Sequence, residues 1–269
     1  MDLKVMNYNI LHGFHQIVHP FALEAHRLRA AQDAITAENP NILVLTEACY
    51  GNPNKLGHRL QYEKLFNYPF YFYGPWGEHE WGNCILSKYP ITAECVKLPD
   101  TDRTAIKSKI TIGTKYIHLD VIHPQPEQSG TEKIASITSL LEQKKVPYII
   151  TGDFNSLSDE DDFDRERLIA GFKLFAGSNY VKTVDSMLAA RDIVIPGIKS
   201  YGLRDAFEKK ENRVYTIPTD MCNLNKDSAM RIDHCFISPD IQSIDAYVVK
   251  NKFTEIASDH YPICMILRI

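Results

Sequence analysis

The chain has 269 residues, 44% of them hydrophobic and 24% charged, with 30 Lys and Arg against 34 Asp and Glu for a net charge of -4. That composition excludes a disordered chain, and apolar runs such as Tyr148-Ile149-Ile150 fall far short of the ~20 residues a membrane span needs. The mildly acidic sum argues against a protein held on nucleic acid by bulk charge, although a local basic groove can sit inside a negative total.

In chain order, the first strand is expected from Leu3 to Asn9. It follows no basic or apolar leader, so a cytoplasmic protein is expected. An amphipathic helix over about 21–38 ends at Asn39-Pro40, and an apolar strand runs from Ile42 to Thr46. The middle is rich in strands: Phe70 to Tyr73, Asn83 to Ser87, Ala105 to Ile112 and Lys115 to Ile122. In the third of these, Ile106, Ser108, Ile110 and Ile112 alternate with Lys107, Lys109 and Thr111, the period of a half-buried strand.

A second helix, about Gln128 to Lys144, leads into a buried strand from Val146 to Thr151. Residues 156–210 read as irregular and helical in pieces, and three strands close the chain near 231–238, 246–249 and 263–269. Strands adjacent in sequence with few intervening helices suggest packed sheets with helices outside. No repeat or Gly/Ser linker divides the chain, so a single domain over 1–269, and a monomer, is expected. The six cysteines, Cys49, Cys84, Cys95, Cys222, Cys235 and Cys264, form no C-x-x-C pair and read as reduced thiols.

Several strands end in a polar residue: Asn9, Glu47, His123, Asp153, Asp233 and the pair Asp259-His260. Such groups are costly to bury unless paired, ligated or catalytic, and sheet proteins place their chemistry at strand ends. Carboxylates with an amide oxygen suit a hard cation, Mg2+ or Mn2+. A further Asp can take a proton from water. Strand alternation in Gly152-Asp153-Phe154-Asn155 would aim Asp153 and Asn155 to one side, a base beside an amide donor. This inventory supports metal-assisted phosphoester hydrolysis.

The ordered set Asn7-Tyr8-Asn9-Ile10, Leu45-Thr46-Glu47, Gly82 to Ile91, Val121-Ile122-His123-Pro124, Gly152-Asp153-Phe154-Asn155, Arg231-Ile232-Asp233-His234 and Ser258 to Ile263 spans nearly the whole chain. It resembles the endonuclease/exonuclease/phosphatase superfamily, which includes DNase I, exonuclease III-type repair nucleases and tyrosyl-DNA phosphodiesterases. The resemblance implies a four-layer α/β/β/α sandwich of two mixed sheets, a DNase I-like fold. It implies Glu47 as the main Mg2+ ligand with Asn9 and Asp259, and Asp153 as the residue that orients or deprotonates the attacking water. Asn155 and His123 would contact phosphate oxygens. His260, held by Asp233, would stabilise the charge developing on phosphorus.

Arg103 aligns with a substrate-phosphate arginine, and is equally readable as a surface charge. His12 could line the pocket or serve as a turn residue. Trp81, with Trp76, could stack on bases or pack the 71–81 loop. His123 is preferred to His118, which lies mid-strand. The acidic run 159–162 would repel a polyanion if it faced the groove. The expected activity is that of a phosphodiesterase or nuclease, with a phosphoester substrate, nucleic acid among the candidates, and no membrane insertion. The alternatives are a phosphomonoesterase or lipid or small-molecule phosphoesterase on the same scaffold, and an inactive binding module.

Overall fold

In the computed structural model, residues 1–16, 22–49, 60–77, 81–158, 160–161, 164–173, 180–208, 214–222, 224 and 226–269 are described. Two six-stranded sheets form the frame. The first has the order β11 (Gln242–Val248), β12 (Ile263–Arg268), β1 (Asp2–Asn9), β2 (Ile42–Cys49), β4 (Trp81–Ser87) and β3 (Phe70–Pro75). The second has the order β5 (Ile91–Lys97), β6 (Thr104–Ile112), β7 (Lys115–Ile122), β8 (Tyr148–Asp153), β10 (Asp233–Ile237) and β9 (Arg204–Asp205).

Each sheet has one parallel pair, β1 with β2 and β7 with β8, and every other pairing is antiparallel. A parallel pair needs a crossover. The helix α1 (Ala25–Glu38) makes the first and α3 (Gly130–Leu141) the second. Ser129 and Glu132 close a capping box at the start of α3. Asn39, left-handed at φ 48, ends α1 ahead of Pro40.

Alternation along the strands sorts the apolar residues into layers. Leu3, Val5, Ile42, Val44 and Ile85 of the first sheet meet Ile106, Leu119, Val121, Ile149 and Cys235 of the second. The opposite faces carry Met6, Tyr8, Leu43 and Leu45 under α1, and Ile122, Tyr148, Ile150 and Phe236 under α3 and α5 (Tyr180–Ser200). This is the α/β/β/α sandwich. The short helices α2 (Tyr62–Leu65), α4 (Arg165–Phe172) and α6 (Thr254–Ala257) complete the described elements, and no described helix is long and apolar enough to cross a membrane.

The short elements α2, β9 and α6 have no counterpart in the sequence reading, and two longer elements depart from it. Strand β5 was not expected because it is an edge strand, largely exposed, with charge and Cys95 breaking its apolar pattern. Residues 180–200 form one helix where helical pieces were expected, since Pro196 and Gly197 interrupt the pattern without ending it. At Gly130 of α3 an added Cβ would come within 2.8 Å of the Ala190 Cα of α5, so the close packing of these helices favours a residue without a side chain there.

One buried acid is unrelated to the strand ends. Asp120 on β7 accepts from the Tyr148 hydroxyl at 2.8 Å, and burial lifts its carboxyl from 3.8 to about 7. The folded chain therefore keeps a proton that the unfolded chain releases. The stability owed to this proton is present below pH 3.8 and is lost as pH rises to about 7. Asp120→Asn is expected to flatten this part of the pH dependence, worth at most about 4 kcal/mol at ~1.4 kcal/mol per pH unit. Urea unfolding at pH 4, 5.5 and 7.5 checks it.

Candidate active site

The carboxyl ends of both parallel pairs lie at the same edge of the sandwich, and β1 and β2 pack against β8 there. Asn9 ends β1, Glu47 lies near the end of β2, His123 follows β7 and Asp153 ends β8. The antiparallel neighbours begin at this edge, so β10 brings Asp233 directly opposite Asp153. The turn before β12 brings Asp259 and His260 beside the end of β1.

Local backbone sets the aim of each side chain. In β2 the alternation that buries Leu43 and Leu45 under α1 would turn Glu47 the same way. A bulge between Leu45 and Ala48 inserts one extra residue against β4, and Glu47 takes φ 56. Its carboxylate instead accepts from the Asn9 amide at 3.0 Å and from the His12 backbone N–H at 3.0 Å. Next to Asp153, Gly152 lies so near β7 that a Cβ would overlap the Ile122 carbonyl oxygen, which reserves this position for glycine.

Asp153 is the hub. Its Oδ1 accepts from the Asn155 backbone N–H at 2.8 Å, and its Oδ2 accepts from the Asn9 amide at 3.0 Å. The same Oδ2 lies 3.5 Å from His123 Nε2 and 3.8 Å from His260 Nε2. His260 Nδ1 is 2.7 Å from Asp233 Oδ2, and Asp233 also receives the Asn7 amide at 3.4 Å.

Burial alone would lower the His260 imidazole, but Asp233, Asp259 and Asp153 outweigh it and hold the ring cationic well above the usual histidine range. Burial, with Arg103, His260 and Lys133 nearby, drives His123 the other way, so it is neutral. Burial and the neighbouring Asp233 raise Asp153. Burial works to raise Glu47 as well, but His12 and the hydrogen bonds from His12 and Asn9 prevail and keep it ionised.

Asp153, Asp233 and His260 lie close enough together to suggest a cation site. A ring held cationic by Asp233 has no lone pair to give, so these three form a charge pair around Asp153. The better oxygen donors are Glu47 and Asp259: burial raises Asp259, and its repulsion from Glu47 raises it further. A divalent cation between two such carboxylates relieves that repulsion, so the residues fit one. The Asn9 amide donates to Glu47 and Asp153, and its oxygen accepts from the Leu11 N–H at 3.0 Å. Asn9 therefore braces the two carboxylates.

The remaining expected residues fall as follows. Asn155 does not reach the site by strand alternation, because β8 ends at Asp153 and Asn155 is left-handed at φ 46, its amide donating to the Pro124 carbonyl at 3.0 Å. Arg103 donates to the carbonyls of His123 and Pro124 at 3.0 and 3.2 Å and stacks on Trp76 at 4.2 Å, within electrostatic reach of Glu47 and Asp153. Trp76 is buried, edge-on to His123.

Trp81 meets the His12 ring edge-on at 4.7 Å, beside Glu47. His118 lies on the outer face of β7, away from the cleft. In the acidic run, Glu160 pairs with Lys199 and Asp161 with Arg231, while Asp159 and Asp162 lie outside the described residues. Glu78, His79 and Glu80 of the aromatic loop also lie outside them.

Three supporting residues were not anticipated. Arg27 of α1 is fully buried, donating to the carbonyls of Ile10, Leu11, His15 and Ala257 at 2.9–3.2 Å and to Glu24. Lys133 of α3 donates to the Asn155 and Pro126 carbonyls. Asn7 bonds Asp233, and its signal was in the sequence: two amides, Asn7 and Asn9, sit on one face of an otherwise apolar strand.

No curated protein matches this chain by sequence. Among solved structures, an endonuclease/exonuclease/phosphatase from Beutenbergia cavernae is similar, with 19% identity, all of this chain and 72% of that one covered, and a TM-score of 0.73. D. rerio TDP2 complexed with a single-strand DNA product is similar at 17% identity, with 100% and 99% covered and a TM-score of 0.65. ANGEL2, a 2′,3′-cyclic phosphatase in complex with adenosine-2′,3′-vanadate, is similar at 16% identity, with 100% and 96% covered and a TM-score of 0.65. These likenesses establish the DNase I-like fold. The sequence model of the Endonuclease/Exonuclease/phosphatase family matches residues 6–260, from β1 to His260 and so across both sheets and every strand end described above. The chain belongs to that family.

Proposed function

We propose that the protein is a divalent-metal-dependent phosphodiesterase acting on nucleic-acid ends or nucleotide-like phosphoesters. The observation that carries this reading is the setting of Asp153: one oxygen fixed by the Asn155 N–H, the other shared by Asn9 and facing two histidines of opposite charge state. A buried carboxylate with a raised proton affinity is suited to take a proton from water. The His260 imidazolium, locked by Asp233, faces the charge that develops on the phosphoryl oxygens. His123 presents a neutral ring whose buried Nδ1 has no partner among the described residues, a position for a substrate oxygen or its proton. Mg2+ or Mn2+ would be held by Glu47 and Asp259, and when bound supplies charge neutralisation at the phosphate.

The metal assignment has a readout besides turnover. Mg2+ at about 100 times its Kd is expected to stabilise the folded chain by ~2.7 kcal/mol. That gain should show as a rise in Tm reversed by EDTA and absent in Glu47→Gln. A Glu47→Gln protein with the full Mg2+ shift contradicts the assignment.

The nucleotide-like substrate is supported by the Trp81–His12 pair beside Glu47, a flat aromatic edge for a base, and by the two structural neighbours that hold single-strand DNA and adenosine-2′,3′-vanadate. Stacking contributes ~1–3 kcal/mol per base. Trp81→Ala is therefore expected to raise KM for a single-stranded oligonucleotide about 5- to 100-fold and to leave a small aryl phosphodiester unchanged. Equal effects on both sink the stacking role. A panel of single-stranded DNA, RNA, 5′-tyrosyl oligonucleotide, 2′,3′-cyclic nucleotide and small phosphoesters selects the substrate. Turnover of the small monoesters alone contradicts the phosphodiesterase reading.

A further inference from the structure

The outer face of the second sheet changes character along its strands. Near the catalytic edge it carries Ile122 and Ile150, covered by α3 and α5. Toward the far edge the same face turns polar, and β5 to β8 with the segment after α3 form an open cavity of about 390 Å3. Lys107 and Lys109 of β6, His118 and Asp120 of β7, and Lys144 and Lys145 beyond α3 line it, with the buried Tyr148 on its floor. The volume suits one small molecule and excludes a duplex.

Charge says what kind of molecule. Lys4, Lys199 and Lys226 each sit within ion-pair distance of a carboxylate, whereas among the described residues none of the four cavity lysines does. Lys107 bonds the neutral Gln143 amide at 3.0 Å, Lys109 lies over the Tyr116 ring at 4.3 Å, and Lys144 lies over Tyr201 at 5.3 Å. The acidic groups of the lining are Glu94 and the buried Asp120, already bonded to Tyr148. Burial, then Lys145, Lys109 and Lys107, disfavour a further positive charge on His118, so the lysine field converges on the cavity. Lys107 stands opposite Glu94 and Asp120 in register and its charge acts on Asp120, but four lysines against these two acids leave an excess of positive charge, and a concave surface of that kind concentrates an anion. Tyr116, exposed and edge-on to His118 at 5.5 Å, adds a flat aromatic rim on the same strand face.

We propose that this cavity is a second, non-catalytic site for a small phosphate monoester of mononucleotide size, its phosphate on the lysines and its ring against His118 and Tyr116. The cavity opens on the face of β7 and β8 opposite the inter-sheet side that carries His123 and Asp153. It therefore stands whether or not the phosphodiesterase reading does.

Isothermal titration in EDTA with AMP, ribose 5-phosphate, inorganic phosphate and adenosine tests it, using wild type, Lys107→Gln/Lys145→Gln and His260→Ala. AMP and ribose 5-phosphate are expected to bind wild type and His260→Ala alike, at least tenfold more weakly in the double lysine variant, and adenosine not to bind. The single variant Lys144→Gln, expected to weaken AMP severalfold, replaces the double variant if that protein shows no cooperative melt. Three results overturn the proposal: no binding of either ester, binding of inorganic phosphate alone, or ester binding undiminished by the lysine changes, whether or not it disappears in His260→Ala.

Discussion

Replacing Asp153 by asparagine is expected to lower kcat on any phosphodiester substrate by roughly 100- to 10,000-fold, the range contributed by a positioned general base. The side chain keeps its size, and its one remaining oxygen can still accept from the Asn155 N–H. What disappears is the negative charge on the atom that Asn9, His123 and His260 all face. The loss should therefore appear in kcat with KM nearly unchanged. Because Asp153 also helps keep His260 cationic, Asp153→Asn and His260→Ala should combine less than additively. A KM effect with an unchanged kcat would move Asp153 from the chemistry to substrate binding.

The largest effect on stability is expected at Arg27. Arg27→Met removes a buried cation that satisfies four backbone carbonyls and one carboxylate, and leaves those acceptors without their donor. Glu24 is partly exposed, so the cost comes mainly from the buried carbonyls, at about 1–3 kcal/mol for each one left unsatisfied. The carbonyls belong to the turn after β1, which carries His12, and to Ala257, just ahead of Asp259 and His260. Arg27 thus ties two segments of the candidate site to α1, and on the proposed function the variant should lose kcat as well as stability. Arg27→Lys keeps the charge with fewer donors and a different geometry, and should recover part of each. Urea denaturation alongside steady-state kinetics measures both. A variant that unfolds like wild type contradicts the clamp.

Much of the candidate site's placement was legible because its polar side chains sit at strand ends. Asn9, His123, Asp153, Asp233 and His260 each follow or begin an apolar run, and the two parallel pairs gather those ends at one edge. The apolar alternation of β1 and β6 also reported which faces meet between the sheets. What could not be read was backbone departure from regular structure. The bulge that turns Glu47 inward and the left-handed Asn155 depend on φ values that residue type does not announce. Arg27 was hidden for a different reason: an arginine on an amphipathic helix ordinarily belongs to the solvent side, and only the tertiary fold supplies four carbonyls to bury it.

The charge balance also reads differently once the fold is known. Several of the acids behind the total of -4 are gathered at the strand-end site, and Glu160 and Asp161 of the acidic run are paired with Lys199 and Arg231. The net charge therefore describes neither the cleft nor the lysine-lined cavity on the other face.

On the proposed function, water attacks phosphorus under the control of Asp153 with a divalent cation at Glu47 and Asp259. Hydrolysis of a 5′-tyrosyl oligonucleotide or a small phosphodiester in 18O-labelled water with Mg2+, followed by mass analysis of both products, tests it most directly. One label is expected on the phosphate-bearing product and none on the alcohol, with turnover abolished in EDTA and lowered roughly 100- to 10,000-fold in Asp153→Asn. Label on the alcohol, or undiminished turnover in EDTA, would contradict it.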